Sequence, residues 1–170
     1  MHVTQALFTS ADYARLPEGY PAQLVEGCLV KDEAPTYGHQ RTQSRLHAAL
    51  TRLLDPDLVL VSPADVVLGA HDVYQPDLVV LRKAPPLTQR NVGIPLLAIE
   101  ILSPSTARRD REVKTKHLLE AGVEEVWLVD PDDGRIELHT SAGVLQARGR
   151  KTLASDAVQG FAIDPDELLQ

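Results

Sequence analysis

Residues 96–102 spell Leu96-Leu97-Ala98-Ile99-Glu100-Ile101-Leu102. Six apolar residues around one carboxylate describe a strand buried on both faces, the kind found inside an α/β sheet. A carboxylate in such a run is costly unless it meets a cation or takes up a proton. Working outward, the strand stops at Ser103-Pro104-Ser105, and the next residues have helical character from Thr106 to Ala121, closed by Gly122 as a left-handed cap. Val126-Trp127-Leu128-Val129 is a second strand of the same two-sided kind. Strand, helix and strand across residues 96–129 predict a right-handed crossover with parallel strands. Upstream, Gln75-Pro76-Asp77 opens another apolar strand, Leu78 to Leu81.

The remaining pattern places one mixed sheet in one α/β domain covering residues 1–170. Ser10 is positioned to cap a short helix, Ala11 to Leu16. Gln23–Glu26 and Leu29–Lys31 predict an N-terminal hairpin around Gly27. An amphipathic helix is expected from about His39 to Leu54, with Leu46, Leu50, Leu53 and Leu54 on its apolar side. Leu58–Val61 and Val66–Leu68 have strand character. Arg135–His139 and Val144–Ala147 look like a hairpin after the turn sequence Asp130-Pro131-Asp132-Asp133-Gly134.

Composition is that of an ordinary globular chain, 44% hydrophobic and 24% charged over 170 residues. The lone cysteine, Cys28, rules out an internal disulfide and a multi-cysteine zinc site. The amino terminus lacks a signal-peptide layout and no apolar run approaches membrane-spanning length, so a cytoplasmic setting without membrane contact is expected. A net charge of -7 opposes non-specific attraction to nucleic acid. The charge is uneven, however: Arg108, Arg109, Arg111, Lys114 and Lys116 cluster between Thr106 and His117. A solvated helix face would look the same.

Chemistry concentrates on few residues. In an α-helix Asp110, Lys114 and Leu118 share a side, which turns Lys114 toward the sheet. Its long stem could return the ammonium to the strand end. Asp77 and Glu100 are hard oxygen donors suited to Mg²⁺, which takes few carboxylates and keeps several waters. Together the three residues suggest phosphodiester hydrolysis. Blander readings exist for each: a buried ion pair for Glu100, a strand start for Asp77, a surface pair with Asp110 for Lys114. The absence of a Gly-x-Ser-x-Gly elbow argues against serine hydrolysis, and the six histidines show no H-x-x-x-H spacing for zinc.

Four motifs in order carry a resemblance: Gln75-Pro76-Asp77-Leu78-Val79-Val80; Ala98-Ile99-Glu100-Ile101-Leu102-Ser103-Pro104-Ser105-Thr106; Asp110-Arg111-Glu112-Val113-Lys114; and Ala121 to Pro131. The chain resembles the Uma2 family of restriction-endonuclease-like proteins in the PD-(D/E)XK nuclease superfamily. The resemblance spans roughly residues 8–140. It implies a central mixed β-sheet flanked by helices and Mg²⁺-dependent cleavage of DNA, with Mn²⁺ as a substitute. It also makes Asp77 and Glu100 the metal carboxylates. Leu102 stands two residues after Glu100 where the superfamily places lysine, so Lys114 is expected to serve from the helix. His39 is placed near the site as a substrate contact, with Arg108, Arg109, Arg111 and Lys116 as further DNA contacts. Family members usually carry a glutamate where this chain has Gln23. Glu26 is the nearest substitute, although strand alternation points it to the opposite face. A homodimer is expected, because cutting both strands needs two sites. The alternative is a degenerate member that binds nucleic acid or a protein partner without cutting.

Overall fold

A computed structural model describes residues 7–170 apart from residue 32. Two strands form the expected N-terminal hairpin, β1 (Ala22–Val25) and β2 (Cys28–Lys31), after a short helix α1 (Ser10–Tyr13). Thr9 rather than Ser10 caps α1, accepting from the Asp12 amide while Asp12 returns a bond to Thr9. The long helix α2 (Tyr37–Thr51) is capped by Thr36. Its start lies two residues before the expected His39, and it ends early enough that Leu53 falls beyond it, exposed.

A six-stranded sheet follows. Its members are β3 (Val59–Val61), β6 (Leu78–Val80), β7 (Leu97–Ile101), β8 (Glu125–Asp130), β9 (Arg135–Thr140) and β10 (Gly143–Arg148), in spatial order β10-β9-β8-β7-β6-β3. β7 and β8 are parallel, as the crossover requires, and every other neighbouring pair is antiparallel. The crossover is helical: α3 (Ala107–Arg109), a π-turn over Asp110–Lys114, then α4 (Thr115–Glu120). The hairpin joins β4 (Val66–Val67) and β5 (Val73–Tyr74) in a separate antiparallel sheet of order β2-β1-β5-β4. Sequence patterning anticipated the hairpin and the strand character of residues 66–68 but not this second sheet, because β5 is two residues long and its pairing with β1 and β4 leaves no local signal.

Alternation along β7 divides the core. Leu97, Ile99 and Ile101 pack with Leu46 and Leu50 of α2, while Ala98 and Leu102 pack with Leu118 of α4 and with Tyr74. Glu100 shares the parity of Ala98 and Leu102 and therefore faces α4. In β6, Val79 belongs to that same side, which assigns Asp77 to it as well. The antiparallel register Leu78↔Ile99, Val79↔Ala98 continues by one step to set Asp77 opposite Glu100.

The C-terminal strands β11 (Leu153–Ala154) and β12 (Ala162–Ile163) and helix α5 (Pro165–Leu169) close the α2 side of the sheet. Their anchor is the buried carboxylate of Glu125. It accepts from the Trp127 indole at 2.9 Å, the Ser155 hydroxyl at 2.7 Å, and the amides of Asp156 and Ala157 at 2.7 and 2.9 Å. Arg41 and Arg45 of α2 then donate to the carbonyls of Leu169 and Leu168. Glu125→Ala strands four donors in or near the core, so it should lower unfolding free energy by about 3 kcal/mol. Urea denaturation measures this; a loss under about 0.5 kcal/mol, the scale of an ordinary surface change, would show that the anchor is dispensable.

Candidate active site

A cleft of about 1020 Å³ opens where α2 begins, where β7 ends and where the π-turn passes. Asp77, Glu100 and Lys114 all line it, together with His39, Gln23 and Arg109. The chain builds this convergence from strand register on one side and helix geometry on the other.

Glu100 and Lys114 form its inner wall, 4% and 1% exposed. The Lys114 Nζ lies 2.5 Å from Glu100 Oε1. It also lies 3.5 Å from Asp110 Oδ1, and Asp110 is itself only 2% exposed. A surface pair between Asp110 and Lys114 is therefore not what forms. The reason is the π-turn: the Thr115 amide bonds back five residues to the Asp110 carbonyl, and the Thr115 hydroxyl reinforces it at 2.7 Å. The wider turn brings Asp110, Lys114 and Thr115 together on the buried side. Beneath the ammonium lies the ring of Tyr74, its centroid 5.8 Å from Nζ. Tyr74 is held in turn by its hydroxyl contacts with Asp72 and His117.

Burial pushes the Glu100 carboxyl well above its ordinary range, against the pull of Lys114; Asp110 and Asp77 push it further. For Lys114, burial works toward the neutral form, but Glu100 and Asp110 outweigh it and hold the ammonium above its usual value.

Asp77 stands at the mouth. One of its oxygens, Oδ2, accepts from the Ile101 amide at 2.7 Å and meets His39 Nε2 at 3.2 Å. Gln43 of α2 donates to the Asp77 main-chain carbonyl at 2.8 Å. Both hydrogen bonds on the carboxylate fall on Oδ2, which leaves Oδ1 with acceptor capacity. Glu100 Oε1 and Asp110 Oδ1 are buried without a well-formed hydrogen bond. Hard carboxylate oxygens fit a divalent ion such as Mg²⁺, although Glu100 Oε1 already carries the Lys114 ammonium. Among the described residues no cluster of three or more His, Cys, Asp or Glu side chains is arranged as a metal cage. With few protein carboxylates to offer, an ion held here would have to keep several waters, as Mg²⁺ does.

The other expected contacts divide. Arg109 lines the cleft, and its buried Nε has no hydrogen-bond partner. Arg108 instead pairs with Glu112 on the surface, Lys116 with Glu120, and Arg111 with Asp130 and Glu137. Glu26 does not reach the cleft. It occupies the hairpin turn at φ 49°, exposed, with its amide bonded to Asp72. The cleft lining does not include Glu26, so from this position it does not stand in for the missing acid. Gln23 does face the cleft, and its Oε1 accepts from the Gln75 amide at 2.8 Å, which fixes the segment leading into Asp77. Asp110 and Gln43 are the residues that sequence reasoning did not assign to the site. The Asp-x-x-x-Lys spacing is the signal for Asp110, but it reads equally as a surface pair until the helix geometry is known.

The family model described as "Putative restriction endonuclease", Uma2, matches residues 10–166. Among solved structures, the chain is similar to one described as a putative nuclease belonging to DUF820 from Anabaena variabilis ATCC 29413. The two share 19% identity over 95% of this chain and 97% of that one, with a TM-score of 0.82. At that identity the likeness shows the fold. No curated protein matches the chain.

The hydrogen bond that the His39 ring donates to Asp77 raises the His39 pKa above its ordinary 6.5, against the opposing effect of burial. A raised histidine contributes stability that is complete below the unfolded pKa of about 6.5 and lost as pH rises through the folded value. In chelator, Asp77→Asn should return the His39 titration toward 6.5, as followed by NMR of the ring protons. The share of its stability deficit owed to this pair should shrink as pH rises above about 6.5 and through the raised folded value. An unchanged His39 titration would mean that Asp77 does not govern the ring.

Proposed function

The chain belongs to the Uma2 family, and from that premise we propose that it is a divalent-metal-dependent endonuclease hydrolysing phosphodiester bonds of DNA. The observation that carries the reading is the pairing of Asp77 with Glu100 across β6 and β7, on one face, against the Lys114 ammonium. Asp77 and Glu100 would hold a Mg²⁺ or Mn²⁺ ion, which would lower the pKa of a bound water and offset charge on the phosphate.

The chain's own groups supply the rest. His39 and the Ile101 amide orient Asp77. Lys114 carries a permanent positive charge to the wall of the cleft, where it can neutralise charge that develops on a phosphoryl oxygen. Arg109 is the cleft-lining arginine and serves as the phosphate anchor. Arg108, Arg111 and Lys116 are engaged by carboxylates of this chain and are poorer candidates for that work. The cleft is lined by Glu33, Asp77, Glu100, Asp110 and Asp132 against Arg109 and Lys114. A polyanion meets net repulsion there, so cation binding must precede DNA binding. Two such sites, brought together in a homodimer, would serve both strands. Gln23 and the net charge of -7 favour a second reading, a member that binds nucleic acid or a protein partner without cutting.

Plasmid DNA should be nicked with Mg²⁺ or Mn²⁺ and spared with chelator, and Glu100→Gln should abolish the nicking. Oligonucleotide binding, followed by fluorescence anisotropy with Ca²⁺ as a non-cleaving ion, should require the ion. Arg109→Ala should weaken that binding about tenfold with little change in kcat. No cleavage with either metal would favour the second reading, and nicking that persists in chelator would remove the metal from the mechanism.

A further inference from the structure

The ion pair at the centre of the cleft presents a conflict. Glu100 is a proposed metal carboxylate, yet its Oε1 is already held at 2.5 Å by Lys114. An ion on either oxygen of Glu100 would stand close to that ammonium, and two cations so near repel strongly in a buried setting. The repulsion drives the lysine elsewhere, and an ammonium that is 1% exposed cannot simply move into solvent. Its surroundings define where. The Tyr74 ring closes one side, 5.8 Å from Nζ, and is itself fixed by Asp72 and His117. Glu100 lies on a second side. On the third is Asp110, whose Oδ1 is 3.5 Å from Nζ, buried, and without a well-formed hydrogen bond.

We propose that Asp110 is the second seat of the Lys114 ammonium: an ion entering between Asp77 and Glu100 displaces the lysine from Glu100 onto Asp110. This rests on the metal-dependent reading given above. The move is short, since Nζ needs less than an ångström to bring Asp110 from 3.5 Å to a charge-assisted hydrogen bond of about 2.8 Å. It keeps the ammonium charged and compensated throughout. It also gives Asp110 a positioning role distinct from that of a metal ligand. The i, i+4 spacing makes this seat available, and the π-turn's bonds from Thr115 to the Asp110 carbonyl hold the pair within the wall.

The decisive experiment is a crystal structure of the unmodified protein soaked with Mn²⁺. The expected result is an ion on Asp77 and Glu100, with Nζ within about 3 Å of Asp110 and withdrawn from Glu100. An ion bound while Nζ stays on Glu100 would overturn the exchange and leave the metal reading intact. Absence of an ion from the Asp77–Glu100 pair at saturating Mn²⁺ would overturn both. Calorimetric titration with Mn²⁺ gives an independent measure. Asp110→Asn should weaken binding about tenfold in the parent and less than twofold in a Lys114→Met background, where there is no ammonium to reseat. Equal weakening in both backgrounds would make Asp110 a metal ligand or a source of field and not a seat for lysine, and no weakening in the parent would deny it any role.

Discussion

A single ammonium sealed between two carboxylates sets the conditions for everything else in this fold. Lys114, Glu100 and Asp110 are each almost wholly withdrawn from water. The desolvation of three charges is expensive, and mutual attraction repays it only with good geometry. That geometry needs β7 and the π-turn held in fixed relation. The apolar contacts of Ala98 and Leu102 with Leu118, and of Leu97, Ile99 and Ile101 with α2, provide the rigidity. The two core clusters are thus the support for a polar cluster that could not exist without them. Apolar residues of similar size at these three positions would commonly be neutral or stabilising, so the charges are poorly explained by folding alone.

The second support is lateral. Asp77 sits opposite Glu100 because the β6–β7 register allows no other neighbour on that face. A slip of one residue would move Asp77 to the α2 side, among Leu46 and Leu50. The bond from the Ile101 amide to Asp77 and the bond from Gln43 to the Asp77 carbonyl both resist that slip. Site geometry and sheet register are one constraint seen from two sides.

How much of this was legible in the chain follows from the range of the forces involved. The buried run around Glu100, the parallel crossover, the hairpin and the placement of Asp77, Glu100 and Lys114 in one cleft were readable, because alternation and helix periodicity are local signals. The fate of the basic residues was not. Whether Arg111 points to a substrate or to Asp130 and Glu137 depends on strands β8 and β9, distant in sequence. Glu125 was equally hidden: it looks like the polar start of a strand, and only the return of Ser155, Asp156 and Ala157 makes it an anchor. The residues from 153 onward form strands too short to announce themselves. Glu26 was offered only as the carboxylate nearest Gln23 in sequence; alternation already turned it to the opposite face, and it sits exposed in the hairpin turn, outside the cleft lining.

The π-turn changes what chain length means in this region. A π-turn amounts to an α-helix that has accepted one extra residue. Between Thr106 and Gly122, therefore, the segment is one residue longer than an unbroken helix over the same span would need. Removal of that residue would relieve the weaker hydrogen bonding and leave a more regular helix. It would also rotate the helix start against the rest by about 100°, so that Ala107 and Arg109 before the turn could not keep their present relation to Lys114 and Leu118 after it. Here a length variant is a functional variant: descendants of this fold can trade the helix's regularity for the placement of Arg109 against the lysine, but cannot keep both.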